Sequence, residues 1–148
     1  MTSLSTTVQA AAVGHPAYSQ TFPCKPSTAE VGRKLVQDVL GIWHLDDLAD
    51  PATLIISELI ANAVRHTPCH SVRLIIGRPS ATRLRVGVVD RAPSRLPVLG
   101  PLDEDDESGR GLLLIDGIAD RWGYDLHGPD GRPWCKEVWA ELFMKGDE

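Results

Sequence analysis

Glu58 and Asn62 stand four residues apart in the run Glu58-Leu59-Ile60-Ala61-Asn62-Ala63-Val64-Arg65-His66. On a helix that spacing puts them one turn apart on a shared face, with Arg65 on the same side. A carboxylate can take the proton of an attacking hydroxyl, and an amide oxygen can ligate a hard cation. Together they suit metal-assisted phosphoryl transfer, although a solvated helix face would look the same. Asp90 follows the apolar run Val86-Gly87-Val88-Val89 and precedes Arg91-Ala92-Pro93. Its carboxylate can accept a hydrogen bond from an exocyclic amine such as that of adenine, or it can simply start a turn. In Gly109-Arg110-Gly111, glycines let backbone N–H groups approach a phosphate, and a helix N-terminus adds a favourable dipole. Glycines also serve plain turns. The acidic run Asp103-Glu104-Asp105-Asp106-Glu107 reads as a lid or as a solvated surface loop.

The elements that must hold these residues follow from periodicity and punctuation. Asp50-Pro51 opens a helix that runs to about Thr67, stopped by Pro68, with Ile56, Leu59, Ile60, Ala63 and Val64 as its apolar stripe. Ser27 and Glu30 form a capping box for an earlier helix whose core face is Val31, Leu35, Val39 and Leu40, with Gly41 marking its end. Ser71 to Gly77 and Arg83 to Asp90 read as a hairpin whose arginines alternate outward. A long loop from Ala92 to Glu107 leads to an apolar helix from Leu112 to Asp120. Strands from about Arg121 to His127 and Trp134 to Phe143 flank Gly128-Pro129-Asp130-Gly131. Residues 1 to 20 lack sustained periodicity and read as a flexible N-terminal tail, or an edge element at most. The order helix, helix, strand, strand, loop, helix, strand, strand predicts an α+β two-layer sandwich.

Bulk properties narrow the function classes. A chain of 148 residues fits one domain, with 43% hydrophobic and 24% charged residues, the balance of an ordinary globular protein. A net charge of -5 argues against nonspecific nucleic-acid binding. Cys24, Cys69 and Cys135 offer no disulfide framework, no apolar run approaches a membrane span, and the first residues do not read as a secretory signal. These features predict a cytoplasmic protein. His66, Cys69 and His70 lack an evident fourth ligand for zinc, and Ser57 lacks a nucleophile-elbow sequence. Trp43, Trp122, Trp134 and Trp139 read as core or interface residues.

In this order the pieces resemble the anti-sigma-factor serine kinases, the small regulatory branch of the GHKL (Bergerat-fold, histidine-kinase-like) ATPases. Glu58 to His66 is similar to that family's N-box. Val88-Val89-Asp90-Arg91-Ala92-Pro93, continuing to Leu96-Pro97, resembles its first glycine box in the variant where Pro follows the Asp. Glu107-Ser108-Gly109-Arg110-Gly111-Leu112, with Ala119-Asp120-Arg121-Trp122-Gly123, is similar to the second box and the helix behind it. The resemblance spans about residues 22 to 143. It implies a histidine-kinase-like ATPase domain over 21–145, with a mostly antiparallel mixed sheet and helices on one face.

The resemblance also implies roles. Glu58 would be the general base and Asn62 the Mg²⁺ ligand at ATP. Asp90 would bind the adenine amine beside Ala92. Gly109, Gly111 and Leu112 would border the phosphates, with Arg110 and His66 as phosphate neighbours. Arg33 matches a position used near the partner. The implied protein is an ATP-binding anti-sigma factor that phosphorylates a STAS-type anti-anti-sigma antagonist on serine, with a homodimer implied by likeness alone. Two departures stand out. Ala92 replaces a usual glycine, and Cys135-Lys136-Glu137-Val138-Trp139 stands where relatives show Gly-Lys-Thr before Val-Trp. Glu137 thus occupies the place of a Thr in the adenine network, where it can accept but not donate when ionised. A non-catalytic ATP-binding regulator and a pure interaction domain are the alternatives.

Overall fold

The computed structural model describes residues 7–10, 16–66, 70–93, 107–129 and 131–145. Its strands are β1 (Thr7–Ala10), β2 (Pro16–Pro23), β3 (Ser71–Ser80), β4 (Arg83–Asp90), β5 (Arg121–His127) and β6 (Cys135–Phe143). Its α-helices are α1 (Thr28–Trp43), α2 (Ala49–His66) and α3 (Glu107–Ile118), with a 3₁₀ turn at Asp46–Leu48 leading into α2. The six strands form one sheet in the order β1-β2-β3-β4-β6-β5. Every pairing among them is antiparallel, so the sheet expected to be mixed has no parallel pair among the described strands.

The period of two in each strand sorts the side chains onto two faces. Val72, Leu74 and Ile76 of β3, Leu84, Val86 and Val88 of β4, and Ala140 and Leu142 of β6 join α1 and α2 in one core cluster. Val36, Val39, Leu40 and Trp43 come from α1; Ala52, Ile55, Ile56, Leu59, Ile60 and Ala63 come from α2. Burying each large aliphatic side chain contributes about 1.5–3 kcal/mol. That cluster therefore fixes the helices on one face of the sheet, the two-layer α+β sandwich the sequence indicated.

Several local expectations change. Residues 1 to 20, expected to be a tail or an edge element at most, include β1 and most of β2. The alternation Tyr18, Gln20, Phe22 is short and half polar, but Phe22 enters the core and Tyr18 packs on Trp43 with ring centroids 5.5 Å apart. On α1, Val31 is exposed and Gly32 is buried in its stead. A Cβ at Gly32 would lie 2.6 Å from Ile60 Cδ1, so the glycine is what lets α1 approach α2 this closely. The Ser27–Glu30 capping box does not form, and Thr28 Oγ1 donates to the Pro23 carbonyl instead. Gly41 lies within α1, which runs on to bury Trp43 and ends at His44 in the left-handed region at φ 58°.

Candidate functional site

α2 carries Glu58 and Asn62 beside its buried stripe, and both are half-buried. The helix packs against α1, β4, β6 and α3. Asn62 Oδ1 accepts from Arg65 Nη1 at 3.4 Å, the one-turn contact expected from their spacing. Glu58 has no hydrogen-bond or ion-pair partner among the described residues. Its neighbour Ser57 receives Arg33 Nη1 at 3.0 Å and donates to the Thr53 carbonyl, which ties α1 to α2 at this level.

Asp90 ends β4 on the helix-covered face and is 4% exposed. Its Oδ1 accepts from the Ala92 N–H at 2.8 Å, so the carboxylate does start the turn. The same Oδ1 accepts from Lys136 Nζ at 2.9 Å, and Nζ also donates to the Ala92 carbonyl at 2.8 Å. Oδ2 accepts nothing among the described residues. The turn and the ligand reading are therefore compatible, since each can use a different oxygen. Lys136 stands directly opposite Asp90 in the β4–β6 register and is likewise 4% exposed.

Lys136 is the residue that sequence reasoning missed. The adjacent Glu137 is the residue that stands in place of a usual Thr. Glu137 pairs with Val89, one residue off Asp90, so the strand alternation turns it to the opposite face. There its Oε1 lies 3.5 Å from His127 Nε2 and its Oε2 lies 3.9 Å from Arg85 Nη2. Counting parity from Asp90 across the β4–β6 register selects position 136 instead.

α3 begins at Glu107, four residues before the end of the glycine segment, so Gly109, Arg110 and Gly111 lie within its first turns and not ahead of it. N–H groups in the first turn of a helix have no intrahelical acceptor. Gly109 thus lies where such donors are available, whereas Gly111 falls where the helical ladder begins. Leu112 is buried in the core cluster. Trp122 Nε1 donates to Asp116 Oδ1 at 2.8 Å, and Asp120 Oδ2 accepts from the Phe143 N–H at 2.8 Å. The first bond holds α3 to β5, and the second ties the residue just before β5 to the end of β6. The side chains of His66 and Arg110, and residues 94–106 with all but the last residue of the acidic run, lie outside the described residues.

Near the site, the Cys135 thiol titrates above its ordinary value of 9.0, first because of burial, then because Asp90 and Glu137 oppose a thiolate, with Arg91 acting the other way. No described helix is long and apolar enough to cross a membrane.

The model of the histidine kinase-like ATPase domain matches residues 22–139. A protein of Streptomyces coelicolor described only as uncharacterized is 46% identical in a 79-residue alignment covering 42% of this chain and 75% of the relative. The chain belongs to the histidine kinase-like ATPase domain family. Membership implies an ATP-binding domain, and the residues fit that ligand on their own chemistry. Asp90 Oδ2 is an unengaged anionic acceptor suited to an amine, and Asn62 supplies a hard oxygen donor suited to Mg²⁺.

Proposed function

We propose that this chain is a cytoplasmic ATP-binding regulator that acts as a protein serine kinase and anti-sigma factor. The observation that carries the reading is the division of labour at Asp90. One carboxylate oxygen is fixed by Ala92 and Lys136, and the other is left to accept from a base amine. Asp90 would read adenine, Asn62 would hold Mg²⁺, and the N–H groups at the start of α3 would receive the phosphates. Bound ATP supplies the phosphoryl group, and Mg²⁺ offsets its charge. Glu58, half-buried and without a partner of its own, is free to orient and deprotonate a serine hydroxyl on a STAS-type antagonist.

A second reading is ATP-dependent partner binding without phosphoryl transfer. It draws on Asn62, whose Oδ1 already receives Arg65, a cation that competes for the oxygen a metal would use. One experiment separates the two. With Mg·ATP and the antagonist, Glu58→Ala is expected to slow phosphate transfer by about 10²–10⁴-fold while leaving ATP affinity within about twofold. Undiminished transfer would remove Glu58 as the base. Binding of ATP by the unaltered protein with no transfer would favour the second reading.

A further inference from the structure

We infer that Lys136 is a specificity-determining residue that reads the nucleobase together with Asp90. The inference rests on the nucleotide site proposed above and concerns which edge of the base that site recognises.

The argument is a count of donors and acceptors. A lysine ammonium has three N–H groups. Two are used, on Asp90 Oδ1 and the Ala92 carbonyl, which leaves one. Asp90 has one oxygen engaged twice and one engaged by nothing among the described residues. The buried pair therefore offers one acceptor and one charged donor, within a few ångströms because the two groups are bonded to each other. Adenine presents an exocyclic amine beside the ring acceptor N1, one donor and one acceptor. Guanine presents two neighbouring donors, N1–H and the 2-amine, beside one acceptor, O6. In the orientation that suits adenine, guanine would set O6 against the Asp90 oxygen and N1–H against the Lys136 ammonium, and two mismatched buried polar contacts are costly.

The register supplies an independent observation. Asp90, Lys136 and Leu126 form one row across β4, β6 and β5, on the helix-covered face. Leu126 is 45% exposed, an apolar side chain next to a buried ion pair. A purine whose edge meets Asp90 and Lys136 would find in Leu126 an apolar flank for its ring.

Titration calorimetry on the intact protein with Mg²⁺ tests this, using ATP, 1-deaza-ATP (N1 replaced by C–H), 7-deaza-ATP and GTP. The unaltered protein is expected to bind 1-deaza-ATP about tenfold or more weaker than ATP, because a charged hydrogen bond is lost. It should bind 7-deaza-ATP as ATP and reject GTP. Lys136→Met should bind ATP and 1-deaza-ATP alike. Equal affinity of the unaltered protein for ATP and 1-deaza-ATP, or for ATP and GTP, overturns the role of Lys136 and leaves the ATP site intact. Binding of none of the four overturns the nucleotide site itself. The comparison on the unaltered protein stands even if the methionine variant does not fold.

Discussion

The two faces of the sheet both bury charge, and they do so differently. On the helix-covered face, Asp90 and Lys136 form a single buried pair, hydrogen-bonded at 2.9 Å. On the other face, Arg85 reaches Asp125 at 3.2 Å, Glu141 at 3.7 Å and Glu137 at 3.9 Å, and its guanidinium lies 4.1 Å from the centre of the Trp139 ring. Arg121 adds a contact to Glu141 at 3.4 Å. Glycines make this layer thin: a Cβ at Gly87 would lie 2.7 Å from Glu137 Oε2, and one at Gly123 would lie 3.0 Å from the indole. A lone buried pair has no substitute for either partner. A branched network, open to water at Arg85 and Asp125, has several.

Lys136→Met should therefore have the largest effect on stability, about 3–5 kcal/mol, because it leaves the Asp90 charge buried and alone. Adding Asp90→Asn should recover much of that loss, since the orphaned charge is then gone. Urea unfolding with an unchanged slope is the measurement. Arg85→Ala should cost only about 1 kcal/mol, most of it lost ring stacking, and the difference should shrink in high salt. Equal costs for Lys136→Met and Arg85→Ala would erase the contrast between the faces.

The smallest effect concerns Cys135, beside the closed pair. Its raised pKa means the folded state keeps the thiol proton longer than the unfolded chain does. The stabilisation is complete below the unfolded thiol value and is lost as pH rises through the folded one. Alkylation with peptide mapping should give Cys135 a rate midpoint at higher pH than the same peptide unfolded. A midpoint at or below the unfolded value would refute the shift.

Much of this was legible in the chain. The stripe of α2 and the strands β3 to β6 announced themselves through strong periodicity and turn residues, and Asp90 through its place at a strand end. The N-terminal strands were not legible, because Ala17-Tyr18-Ser19-Gln20 alternates too weakly until β3 pairs with it. The register of α1 shifted because a glycine, silent in any hydrophobic pattern, sits where a helix must approach closely. Lys136 escaped notice for a further reason: its meaning depends on a pairing across 46 positions of sequence.

The alternation of β6 also bears on how this chain can change over time. Lys136 and Glu137 are consecutive residues that share no partner, one answering to Asp90 and Ala92, the other to Arg85 and His127. Changes at the two positions should then be nearly independent. The charge network on the outer face of the sheet can therefore be rebuilt while the Asp90–Lys136 pair behind it stays as it is.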